Sequence, residues 1–140
     1  MAFKVFLDAN ILLDFTLKRD DYKQSKQIVA LAVKGDIQAY ITPSILHILV
    51  YWLKKSYGNA KAKEILLTLL ADITIIDLPH EIVFNALHSE ITDMENALQY
   101  YTAIHFKLDC FISRDKLLQA HAILRLPVFS PGEFLRVLET

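Results

Sequence analysis

The feature that most constrains this chain is the repeated switch of its hydrophobic period. Short, mostly apolar runs at residues 3–7, 39–41, 73–76, 110–112 and 127–129 alternate with stretches whose apolar residues recur every three or four positions. Continuous apolarity marks strands that are covered on both faces. Strand and helix in turn imply βαβ units. The expected fold class is α/β: a single domain over residues 1–140, an α/β/α sandwich around a central, mainly parallel sheet of four or five strands.

Local signals place the helices. Asn10 opens a helix carrying Ile11, Leu12, Phe15 and Leu17, and residues 21–33 form another that stops at Gly35. Thr42 and Pro43 suit a helix start, Thr as cap and Pro in the first turn, and Gly58 ends that helix. Residues 60–70 and 79–89 read as helices. Thr92 and Glu95 have the capping-box spacing before a helix to about residue 107. A short helix holds Leu117 and Leu118, and Ser130 to Glu133 repeats the cap logic before a last helix.

Composition removes several function classes. Apolar residues are 54% of the chain and charged residues 22%, which excludes a disordered or highly charged arm. Gly35, Gly58 and Gly132 are the only glycines, too scattered for a phosphate-cradling loop. Cys110 is the only cysteine, so a disulfide framework and a cysteine zinc site are excluded, and a reducing, cytoplasmic setting is expected. No signal peptide is visible: Lys4, Asp8 and Asp14 interrupt the apolar start. The longest uncharged run, residues 37–53, reads as a strand followed by a buried helix, not a membrane span. The 15 Lys+Arg against 16 Asp+Glu give a net charge of −1, so contact with nucleic acid needs a local basic patch or a bound cation.

In an open parallel sheet, ligands bind beyond the carboxyl ends of the strands. The first strand ends on Asp8, with Asn10 close behind. The strand at 110–112 ends on Ser113, Arg114 and Asp115. The helix before it begins at Asp93 and carries Glu95 and Asn96 in its first turn. Carboxylates gathered at one sheet edge repel one another. Mg²⁺ or Mn²⁺ resolves that conflict, taking oxygen ligands while keeping waters. Such a site suits metal-assisted phosphodiester hydrolysis.

Each residue also has a plainer role open to it. Asp8 or Asn10 can cap the first helix, Asp14 can serve the helix dipole, and Asp115 can be a first-turn acid of a helix capped by Ser113. Asp93 and Asn96, three apart, share a helix face. Glu95 projects elsewhere, and the reciprocal cap with Thr92 is its expected role. The histidines at 47, 80, 88, 105 and 121 lack the HExxH spacing, and His47 is expected in the core. Lys54, Lys55, Lys61 and Lys63, the pair Lys18 and Arg19, and Arg114 with Lys116 are expected at solvated helix ends, with contact to RNA phosphates as the other reading.

Three stretches together resemble the PIN domain family: residues 5–14 (VFLDANILLD), 93–99 (DMENALQ) and 109–115 (DCFISRD). Order and separation match over nearly the whole chain. The resemblance implies an α/β/α PIN fold and a Mg²⁺- or Mn²⁺-dependent ribonuclease, closest in style to VapC-like toxins of bacterial toxin–antitoxin pairs. It further implies an RNA substrate, an antitoxin partner that occupies the site, and a homodimer. The site residues it implies are Asp8, Asp93, Asn96 and Asp115, as catalytic groups and metal ligands. The chain departs from the family pattern twice. No acid lies at residues 44–50, where the family places a glutamate, and Asn96 stands at the usual third acid. Asp93, one turn earlier, is the expected substitute.

Two alternatives follow. One is a PIN domain that binds RNA or protein without cutting. The other is a phosphoacceptor domain, which wants paired acids after the first strand and a lysine after the fifth, and neither is found.

Overall fold

A computed structural model describes residues 2–139. Five strands form one sheet: β1 (Phe3–Leu7), β2 (Ile37–Ile41), β3 (Ile73–Ile75), β4 (Cys110–Ile112) and β5 (Val128–Phe129). Their order is β3-β2-β1-β4-β5, and every pairing between them is parallel. The helices are α1 (Ala9–Thr16), α2 (Tyr22–Lys34), α3 (Pro43–Tyr57), α4 (Asn59–Leu70), α5 (His80–Leu87), α6 (Met94–His105), α7 (Lys116–Ala120) and α8 (Pro131–Glu139). The expected sandwich is therefore the observed one, with five strands.

The chain first steps outward from β1 through β2 to β3, then returns across the sheet to β4 and β5. With right-handed crossovers, that reversal puts the two sets of connecting helices on opposite faces. Accordingly α1 packs on α2 and α3, whereas α5 packs on α6. β1 and β4, both central, are buried on both sides: Val5, Phe6, Leu7, Phe111 and Ile112 are inaccessible to solvent. Phe6 and Phe111 stack across the strand pair with centroids 4.6 Å apart. Tyr100 closes one side of this core and keeps its hydroxyl satisfied, donating to the Leu126 carbonyl at 2.6 Å and accepting from the Ile123 N–H at 2.9 Å.

Helix boundaries follow chemistry visible in the sequence, with informative exceptions. Thr42 caps α3, its hydroxyl accepting from the Ile45 N–H, and Pro43 takes the first turn. Gly35 ends α2 in the left-handed conformation, φ 82°, that a side chain resists. Ser130 and Glu133 form the expected reciprocal cap on α8. The pairing of Thr92 with Glu95 does not form. Asp93 caps α6 instead, accepting from the Asn96 N–H at 3.0 Å, because a carboxylate there also meets the positive helix end. Ser113 likewise does not cap α7; Asp115 does.

The helix expected to be buried is one-sided. α3 buries Ile45, Leu49 and Leu53 but exposes Val50, Tyr51 and Trp52. His47 is exposed on it, not in the core as expected, because it falls off the stripe that faces the sheet. Among the described residues no helix is long and apolar enough to cross a membrane.

Candidate active site

β1 runs directly into Asp8, whose extended backbone makes it the N-cap of α1. Its N–H continues the ladder, donating to the Ile112 carbonyl at 3.1 Å. The first carboxylate is therefore fixed to the end of β4 by the sheet itself. Asp8 Oδ1 accepts from the Ala9 N–H at 2.8 Å, and Oδ2 accepts from the Ser113 hydroxyl at 2.7 Å. Burial pushes the Asp8 carboxyl above its ordinary pKa. These two hydrogen bonds and Arg114 pull it down, while the charge of Asp115 adds to the rise.

Asp115 arrives from β4 and caps α7 through Oδ1, which accepts from the Leu117 and Leu118 N–H groups at 2.9 and 3.1 Å. Its Oδ2 accepts from the Asn96 amide nitrogen at 2.8 Å. Ser113 stands between the two acids: it is fully buried, and its Oγ donates to Asp8 while accepting from the Asp115 N–H at 3.1 Å. Asp93 and Asn96 reach the same place from the start of α6.

All four residues expected at the site, Asp8, Asp93, Asn96 and Asp115, line one cleft of 530 Å³. It opens beyond the carboxyl ends of β1 and β4, where the strand order reverses, the usual ligand position in an open parallel sheet. Asn10, Arg19, Glu95 and Arg114 complete its polar lining, and Leu13, Ile48 and Trp52 form an apolar wall. None of the histidines lines it.

Asp14 lies apart from the cleft. It is 1% exposed and faces Arg114 Nη2 at 3.0 Å and Arg19 at 3.9 Å, and Arg114 Nη1 also meets Asp21 at 2.9 Å. Burial raises the Asp14 carboxyl, and Arg114 opposes that rise most strongly. Asp14 thus acts on the cleft only through the arginines it holds. Arg114 is exposed at the start of α7, as expected, and its guanidinium is in addition fixed by two carboxylates, Asp14 and Asp21.

Sequence reasoning missed Ser113, Glu95 and the α3 wall. A polar residue at the end of a wholly apolar strand was the available signal for Ser113. Glu95 needed the position of the α6 cap, which Asp93 takes from Thr92. Ile48 and Trp52 stand on the helix where the family pattern has its glutamate, and nothing in their own chemistry announces a site.

Two carboxylates and an amide oxygen fit a hard divalent cation that keeps much of its water, since such ions are held through one or two carboxylates in many sites. Among the described residues no group of three His, Cys, Asp or Glu side chains is placed to hold a metal ion, so the chain would supply few ligands and water the rest.

Solved structures similar to this chain share its fold. A toxin–antitoxin complex from Klebsiella pneumoniae aligns with TM-score 0.68 at 22% identity, covering 91% of this chain and 97% of the other. VapC20 from Mycobacterium tuberculosis, a sarcin–ricin loop cleaving toxin, aligns with TM-score 0.66 at 11% identity, covering 88% and 98%. VapBC2 from Rickettsia felis, bound to a DNA fragment from its promoter, aligns with TM-score 0.64 at 18% identity, covering 91% and 98%. No curated protein sequence matches. The sequence profile of the PIN domain matches residues 4–117, a span that runs from β1 to the start of α7 and takes in Asp8, Asp93, Asn96 and Asp115. The chain belongs to the PIN domain family.

Proposed function

We propose that this chain is a Mg²⁺- or Mn²⁺-dependent endoribonuclease and the toxin of a toxin–antitoxin pair. One observation carries the reading: Asp8 and Asp115, 107 positions apart in sequence, are tied together through Ser113 at the switch point of the sheet. A desolvated carboxylate at Asp8, with the charge of Asp115 close by, is costly unless a cation or protons balance it. A bound divalent ion would activate water and offset charge developing on phosphate. Asp8 and Asp115 would hold it, with Asp93 or the Asn96 amide oxygen alongside. Asn96 also orients Asp115 through its amide N–H, and Ser113 orients Asp8. Arg114, braced by Asp14 and Asp21, keeps a positive group at the cleft edge for a phosphate.

The likeness to chains solved in toxin–antitoxin complexes supports an antitoxin partner. A homodimer is part of the same reading, as is RNA rather than DNA as substrate. A second reading, a PIN domain that binds RNA without cutting it, is favoured by the apolar Ile48 and Trp52 on the α3 wall. Incubating RNA with the protein and Mn²⁺ separates the two. Cleavage that is abolished by chelator and by Asp8→Asn supports the nuclease. Intact RNA at millimolar Mn²⁺, or cutting that ignores both treatments, rejects it.

A further inference from the structure

The acidic cleft does not end at its carboxylates. Ile48, Trp52 and Glu95 also line an adjoining recess of 370 Å³, which Ser44, His47 and Tyr51 complete. The two spaces share the wall formed by Ile48, Trp52 and Glu95. Tyr51 and Trp52 are adjacent and large, yet they are 58% and 39% exposed. Their rings meet edge to face, 5.2 Å between centroids and 89° between planes. Lys55 holds its ammonium 5.4 Å from the Trp52 centroid and 5.9 Å from that of Tyr51.

We propose that Tyr51, Trp52 and Lys55 form a stacking seat for an unpaired nucleobase, so that the RNA taken into the acidic cleft is single-stranded beside the phosphate it presents. This rests on the nuclease reading for what the cleft does to the strand; the binding itself does not. Every base offers a face to an aromatic ring, but only once it has left its duplex. Lys55, with Lys54 in the same last turn of α3, supplies the positive charge that a backbone entering an acidic cleft needs. A second copy of the chain would cover the rings too. It would also have to desolvate Lys54, Lys55 and His47 around them, a cost a phosphate backbone does not impose on the lysines.

The test uses a short single-stranded oligoribonucleotide containing 2-aminopurine, alone and annealed to its complement. Binding is measured with Mg²⁺ in the Asp8→Asn background, which keeps the strand whole. The single strand should bind with quenching of the fluorescent base, and the duplex should bind more weakly and without quenching. Adding Trp52→Ala should weaken single-strand binding by about tenfold or more, since stacking on one aromatic residue contributes roughly five- to hundredfold. Trp52→Phe should restore most of the loss, and Tyr51→Ala, at the more exposed ring, gives a second reading should Trp52→Ala fail to fold. Equal binding by Trp52→Ala, preference for the duplex, or no binding of the single strand would each overturn the proposal. So would a Trp52→Ala variant that loses self-association in sedimentation while its RNA affinity is unchanged. Cleavage by the unsubstituted protein is scored separately. Quenching without any cleavage rejects the nuclease reading and leaves the seat standing, whereas cleavage of a strand whose base is never quenched rejects the seat alone.

Discussion

Ser113 holds Asp8 and Asp115 in one arrangement, and removing its hydroxyl tests how much that matters. Ser113→Ala leaves Asp8 Oδ2 without its donor and the Asp115 N–H without its acceptor. The expected cost is about 1–3 kcal/mol in urea unfolding, with RNA cleavage reduced as well. Asp8 itself lowers stability in return for function. Its carboxyl is held above the ordinary range by burial, so ionisation opposes folding: the penalty is absent below the pKa of the unfolded chain and develops as pH rises through the folded value. Asp8→Asn keeps an acceptor for the Ala9 N–H and removes the charge. Its melting temperature should exceed that of the unsubstituted protein at pH 7 and converge with it below pH 4, as thermal melts across that range would read. A melting temperature lowered by Asp8→Asn at pH 7 would contradict this reading of the buried acid. The acids at the strand ends were legible in the sequence because mostly apolar runs stop on or just before them. Glu95 was not, because choosing between Thr92 and Asp93 as cap needs the backbone geometry of the preceding loop.

At the scale of elements, caps decide where helices start and what their first turns offer the cleft. Thr42 accepts from the Ile45 N–H and donates to Gln99 Oε1 on α6, so one buried hydroxyl both starts α3 and ties it to the helix that carries Asp93 and Asn96. Thr42→Val should cost about 1–3 kcal/mol in chemical unfolding by losing the cap and stranding the Gln99 amide oxygen. The cap on α8 gives a pH signature of opposite sign to that of Asp8. Hydrogen bonds from the Ser130 N–H and hydroxyl are the main reasons the Glu133 carboxyl sits below its ordinary range. Its stabilisation is present above the unfolded-state pKa and lost as pH falls through the folded value. Glu133→Gln should therefore melt below the unsubstituted protein at pH 7, with the gap closing in acid. The start of α3 and the cap of α8 were legible because Thr-Pro and Ser-Pro-Gly-Glu carry their own local hydrogen bonding. The exposed side of α3 was not: a run without charges reads as buried, and only packing reveals that Tyr51, Trp52 and His47 face away from the sheet.

For the molecule as a whole, sheet order matters more than any single contact. β1 and β4 lie side by side with their neighbours leading away in opposite directions, which leaves a crevice above their carboxyl ends. The Phe6–Phe111 stack locks that pair together, and Phe111→Ala should cost about 3–5 kcal/mol in chemical unfolding, a large share of the stability of a domain this size. The class of fold was readable from the alternation of periods. The switch point was inferable only from general rules of handedness, because strand order is a property of long-range pairing. The central claim is that this order delivers the acids to one place able to hold a doubly charged cation. Titration with Mn²⁺, followed by paramagnetic broadening of backbone amide resonances, reads it directly. Amides around Asp8, Asp93 to Asn96, and Ser113 to Asp115 should broaden together at the lowest metal concentrations, and Asp8→Asn should abolish the effect. Broadening centred on Asp14 and Asp21, or none at millimolar Mn²⁺, would contradict it.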